Sequence, residues 1–324
     1  MTPEPILDIR DLSVEFATPR GAVRALRHVD LTVPARRIVG VVGESGCGKT
    51  TLASTVLGLL AGNARVSSGS IRFEGAEILG LSEERLNDIR GPRSAMVFQD
   101  PMTALNPVMS IATQMIDIQY RDPAPRKDKR ARAIAMLRKV GIADPEHRID
   151  DYPHRFSGGM RQRISIAMAL SMHPSLLIAD EPTTALDVTL EAQIVHLLRR
   201  LREEFEGSIL FISHNLGLVA EVCDEVVVMY AGEVVEQADV RTLFHAARHP
   251  YTNLLLACDP ARVDRPSRTL PTIGGHIPDL VDLPEACVFA PRCPEVFERC
   301  RGEAPGAYDQ GSGHRVRCFL AARG

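Results

Sequence analysis

"IVGVVGESGCGKTTLASTVLGLL", residues 38–60, decides the fold. Residues 38–42 form a short apolar run, the mark of a strand covered on both faces. The next eight residues, "GESGCGKT", fit G-x-x-x-x-G-K-[ST], and a helix-like stretch follows them. A strand, a glycine-rich turn and a helix are the context in which that pattern binds phosphate. Gly43, Gly46 and Gly48 let backbone N–H groups converge on an anion, and the helix N-terminus adds partial positive charge. The loop residues Gly43, Glu44, Ser45, Gly46, Cys47, Gly48, Lys49, Thr50 and Thr51 are expected to wrap nucleotide phosphates. In this loop Lys49 reaches the β- and γ-phosphates, Thr50 holds Mg²⁺, and Cys47 is a small filler.

Composition sets the outer bounds. A chain of 324 residues has room for two domains, and 45% hydrophobic with 24% charged residues is ordinary for a soluble protein. A net charge of -3 gives no basis for nucleic-acid binding. The longest apolar runs, such as "SLLIA" and "VVVMY", are too short to cross a bilayer. "MTPEPILDIRDL" lacks the basic and apolar regions of a signal peptide, so a cytosolic protein is expected, reaching a membrane only through a partner. Lysine occurs only at Lys49, Lys127, Lys129 and Lys139. The last three lie in "RKDKRARAIAMLRKVG" and read as a solvated helical face.

A second strand, in "SLLIADEP" at 175–182, ends in two acids. In open α/β sheets, ligands bind at such carboxyl ends. Asp180 is expected to hold Mg²⁺, and Glu181 to polarise the water that attacks the γ-phosphate. Between the two strands lies "YPHRFSGGMRQR" (152–163), with Ser157, Gly158 and Gly159 ahead of an amphipathic helix. Gln99 in "VFQDP", Asp187 in "TTALD" and His214 in "FISHN" complete the set. The order is phosphate loop, glutamine loop, signature, acidic strand, aspartate loop and histidine loop. Residues 6–240 thereby resemble the ATP-binding cassette of ABC transporters.

The resemblance implies an α/β P-loop NTPase core with a helical subdomain, an N-terminal antiparallel β region and a small Cys-rich C-terminal extension. The expected nucleotide-binding domain is residues 1–245, with the helical part at about 100–173; residues 246–324 form the extension. Phe16 would stack on adenine, and Gln99 would sense Mg²⁺ and the attacking water. Ser157, Gly158 and Gly159 would bind ATP held by an opposite subunit, Asp187 would act across that interface, and His214 would contact the γ-phosphate. Met160 departs from the glutamine of many cassettes. With one phosphate loop and one signature per chain, the working unit would be a dimer, with itself or a sister subunit.

"FQDPMTALNP", "YPHRFSGGMRQR", "HPYTNLLLACDP" and "PTIGGHIPDL" followed by "CVFAPRCP" resemble ATPase subunits of dipeptide and oligopeptide permeases. That group implies a peptide importer with two transmembrane permease subunits and an extracytoplasmic substrate-binding protein, the chain lying peripherally on the cytoplasmic face of the inner membrane. Nickel and glutathione importers share these stretches. A soluble ABC-type ATPase acting on nucleic acid is the rival from another class, and the acidic balance disfavours it.

Cys287, Cys293, Cys300 and Cys318 follow C-x5-C-x6-C-x17-C. Zinc knuckles are tighter, and a reducing cytosol disfavours disulfides. Four thiolates, one followed by proline, suit an iron–sulfur cluster, and the permease resemblance also implies [4Fe-4S] here. Zinc and unmetallated thiols stay as alternatives, and His276 or His314 as a substitute ligand. Cys223 and Cys258 read as inert core residues.

Overall fold

Alternating apolar positions make the first two elements a hairpin, in which β1 (Leu7–Thr18) pairs antiparallel with β2 (Gly21–Val33). Leu7, Ile9, Leu12 and Val14 are fully buried. The step from Ile9 to Leu12 breaks the period of two, and a bulge absorbs it. Asp11 and His28 take left-handed backbone there (φ 48° and 45°) and join Oδ1 to Nδ1 at 2.6 Å.

The strand expected at 38–42 is β3 (Ile38–Val42), buried at all five positions, and the phosphate loop connects it to the helix Lys49–Val56. β4 (Ala64–Phe73) and β5 (Ala76–Glu77) complete an antiparallel sheet of order β2-β1-β4-β5. The computed structural model describes residues 4–100, 104–184, 188–259, 271–281 and 283–323. They divide into two compact units: residues up to Gly80 together with Phe211 onward, and Leu81–Leu210.

In the second unit, β6 (Ser94–Val97) and β7 (Leu176–Asp180) pair in parallel, Val97 opposite Ala179. Between them run the helices Ile111–Asp117, Arg126–Lys139, Pro145–Arg148 and Gly158–Leu170. Lys129 and Lys139 are more than solvated. Lys129 Nζ donates to the Gln119 carbonyl at 2.8 Å, and Lys139 pairs with Glu204 at 2.8 Å.

The boundary between the units falls inside β8 (Ser208–Ile212). Back in the first unit, β9 (Glu225–Tyr230) lies parallel to β3 and antiparallel to β10 (Glu233–Asp239). The short strands β11 (Tyr308–Asp309) and β12 (Arg315–Val316) extend its edge, giving the order β11-β12-β10-β9-β3. The end of the chain is thus hydrogen-bonded into the sheet that carries the phosphate loop. Among the described residues no helix is long and apolar enough to cross a membrane.

Candidate nucleotide site

In the first unit, the loop after β3 is pinned against the end of β9. A Cβ on Gly43 (φ 153°) would stand 2.2 Å from the Met229 carbonyl oxygen, so only glycine fits. Lys49 is 5% exposed, and its ammonium donates to the carbonyls of Gly43 (2.8 Å) and Glu44 (3.2 Å). Ser45, Gly46 and Thr50 are exposed at the mouth of the loop. Cys47 is fully buried and burial raises its thiol pKa, which suits the filler role. Phe16 is half-buried on β1, opposite Val23 and Ala64. His214 is exposed just beyond β8, before a helix (Leu216–Val222) that Asn215 caps.

In the second unit, β7 delivers Asp180, 3% exposed, at its carboxyl end. Glu181 follows in left-handed backbone (φ 45°), as Asp11 and His28 do at the β1–β2 bulge. Its Oε2 accepts from Gln99 Nε2 at 3.0 Å and from Thr184 Oγ1 at 2.8 Å. The expected glutamine and acid are therefore brought together. Thr184 was not singled out by the sequence, although it stands three residues after the acid in "EPTT".

Ser157 caps the helix Gly158–Leu170, its Oγ accepting from the Met160 N–H at 3.4 Å. The two glycines beside it differ. A Cβ on Gly159 would meet Leu190 Cδ2 at 2.8 Å, whereas one on Gly158 would meet nothing within 4 Å. Packing thus explains Gly159, and Gly158 stands open. Asp187 lies outside the described residues.

The four C-terminal thiols line one small cavity, walled by Phe289, Phe297 and Phe319. Burial pushes Cys287 up to about 11, and also raises Cys293 and Cys318. Among the described residues no lysine or arginine lines the cavity, and burial holds His249 down to about 3, so it is neutral. Glu295 and His249 also stand at its wall, so the four thiols are its main but not its sole donors. Yet among the described residues no three Cys, His, Asp or Glu converge on a point that could hold one metal ion. That leaves neither a zinc ion nor an iron–sulfur cluster with a formed site in this arrangement. His314 faces elsewhere as well, its Nε2 2.8 Å from Glu236 Oε1, which corrects its reading as a substitute ligand.

Sequence reasoning also missed two groups that hold Glu44: the Tyr251 hydroxyl and the Arg292 guanidinium. Arg292 lies in "FAPRCP", a stretch read for its family resemblance and its cysteines.

The ABC transporter family profile matches residues 26–184, and that of the oligopeptide/dipeptide transporter C-terminal region matches residues 235–300. The chain is 44% identical over 319 residues to the oligopeptide transport ATP-binding protein OppD of Haemophilus influenzae, covering 98% of both. It is 41% identical over 314 residues to the dipeptide transport ATP-binding protein DppD of Escherichia coli, covering 97% of this chain and 96% of that one. In fold it is similar to the ATP-binding cassette MJ0796 in its dimeric, post-hydrolysis state with ADP and phosphate. That likeness has a TM-score of 0.65 at 24% identity, and covers 72% of this chain and 99% of that one.

Proposed function

The chain belongs to the ATP-binding proteins of oligopeptide and dipeptide ABC transporters, and on that premise we propose that it hydrolyses ATP to power import of di- and oligopeptides. One observation carries the reading: a full set of nucleotide motifs is joined, in one chain, to a C-terminal region of the oligopeptide/dipeptide type. In this reading residues 1–245 are the nucleotide-binding domain, with a helical subdomain at about 100–173, and 246–324 are the extension.

Gly43–Thr51 wrap the phosphates, with Lys49 on the β- and γ-phosphates, and Phe16 stacks on adenine. Thr50, Gln99 and Asp180 would hold Mg²⁺, which would supply charge neutralisation. Glu181 takes the proton from the attacking water, and His214 orients the γ-phosphate. Attack is in line, with no covalent intermediate, so positioning and electrostatics lower the barrier. Ser157, Gly158, Gly159 and Asp187 serve the ATP of a second subunit, a copy of this chain or a sister. The open space at Gly158 supports this, since nothing among the described residues of the chain itself demands a glycine there.

The further partners are two transmembrane permease subunits and an extracytoplasmic binding protein, with the chain on the cytoplasmic face of the inner membrane. Phe98, Val108, Tyr120 and Tyr152 are exposed apolar side chains on the unit that carries Gln99, which suits a surface for the membrane subunits. Chain solubilised from membranes should bring down two polytopic proteins, and the reconstituted complex should take up labelled peptide only with ATP. Association that nuclease removes, or uptake of nickel or glutathione alone, would replace this reading.

Cys287, Cys293, Cys300 and Cys318 hold a [4Fe-4S] cluster in the same proposal. Their shared apolar cavity supports it, and the cluster would supply the positive charge that four thiolates need. It would staple a segment too small to bury a core of its own. Protein purified without oxygen should be brown and carry about four irons per chain, and Cys300→Ser should lose them. A colourless protein with one zinc, or with no metal, would refute the cluster.

A further inference from the structure

Arg292 is 5% exposed at its side chain, and all five of its N–H donors are placed. Nη1 donates to Glu44 Oε2 at 2.7 Å and to the Tyr230 hydroxyl at 3.3 Å. Nη2 donates to Glu44 Oε1 at 3.0 Å and to the Ile273 carbonyl at 3.2 Å, and Nε donates to the Gly274 carbonyl at 2.8 Å. The fork on Glu44 is bidentate, the strong and directional form of an arginine–carboxylate pair. Gly275 (φ 76°) lets the arginine stem pass, since a Cβ there would sit 3.1 Å from Arg292 Cγ.

The other end of the fork is the second residue of the phosphate loop. The polar groups of Glu44 are engaged on three sides. Its carboxylate takes Arg292, its N–H donates to the Tyr251 hydroxyl at 3.0 Å, and its carbonyl accepts from Lys49. Tyr251, Tyr230 and Phe289 pack with ring centroids 4.7 to 5.3 Å apart, so an aromatic wedge stands behind both anchors. The loop's own Gly43 is therefore not the only thing that sets its entry. Tyr251 and Arg292, far along the chain, hold Glu44 within it.

We infer that Arg292 is a positioning residue for ATP: by clamping Glu44 it fixes the entry of the phosphate loop, and so makes the C-terminal region part of the nucleotide site. The inference rests on the proposed function only in taking the loop's ligand to be ATP. Arg292 offers no free charge to a phosphate, because Glu44 neutralises it and its donors are filled. Its contribution is placement, together with cancelling a carboxylate that would otherwise repel the triphosphate. Both effects act on binding, ahead of the chemical step. The arginine also closes the tight turn Ala290–Arg292, flanked by Cys287 and Cys293, so the thiol cavity and the clamp share one short segment.

The test is steady-state ATP hydrolysis by the full-length chain in its transporter complex, comparing Arg292→Ala, Arg292→Lys and the double variant Arg292→Ala/Glu44→Gln with wild type. Arg292→Ala should raise KM for ATP at least about tenfold and leave kcat within about threefold. Arg292→Lys, a point charge without the fork, should fall between. The double variant should recover part of the lost affinity, since it removes the uncompensated carboxylate. A merely structural arginine would reduce the active fraction, lowering kcat at unchanged KM. That pattern, an unchanged enzyme, or a double variant no better than Arg292→Ala would overturn the inference. A wild-type complex that hydrolysed no ATP would instead refute the proposed function.

Discussion

Replacing Glu181 with glutamine should cut the maximal ATPase rate by about 100- to 10,000-fold, the range lost with a general base, while ATP stays bound. Glutamine keeps the length of the side chain and one acceptor oxygen, so the contact with Gln99 or with Thr184 can persist. What it lacks is the basicity to take a proton from water. ATP binding at the phosphate loop does not depend on this carboxylate. With ATP, the variant should therefore accumulate as a closed dimer of cassettes, seen by size-exclusion chromatography, and KM should not rise. Turnover near the wild-type rate would remove Glu181 from the mechanism.

The ease with which the sequence reveals Glu181 and conceals Arg292 has a physical cause. The phosphate loop and the acidic strand are local devices. An apolar run buried at every position announces β3 or β7, and the proposed site residues come within a few positions of its end. Pairings between distant segments leave no such trace. Arg292 and Glu44 are 248 residues apart, and nothing in "FAPRCP" says which surface it will meet. The thiols show both sides of this. Their spacing marks them as a set, and they do line one cavity, whereas the sequence offered His314 as a neighbour when its partner is Glu236. The bulge at Asp11 and His28 is a third case, since the broken alternation is visible in "LDIRDLSV" but its partner on β2 is not.

Glu236→Ala should destabilise the protein by about 3 kcal/mol or more, the loss expected when several buried donors lose their acceptor at once. Glu236 is 1% exposed on β10, and each of its carboxylate oxygens is used. Oε1 accepts the Arg248 N–H at 2.7 Å and faces His314 Nε2 at 2.8 Å; Oε2 accepts the His249 N–H at 3.2 Å. One side chain thus ties the start of the helix Pro250–Ala257 and the C-terminal hairpin to the central sheet. Alanine would leave two N–H groups and a buried imidazole without an acceptor, at about 1–3 kcal/mol for each orphaned group. Glutamine keeps one acceptor oxygen, turns an amide N–H₂ toward donors, and should lose roughly half as much. Urea unfolding of the full chain should order the midpoints wild type, Glu236→Gln, Glu236→Ala. Because Tyr251 is the second residue of that helix, Glu236→Ala should also weaken ATP binding before the transition, through the Tyr251 contact with Glu44. A change below about 1 kcal/mol, the size of one ordinary hydrogen bond, would mean that the C-terminal region is held by its apolar contacts and not by this carboxylate.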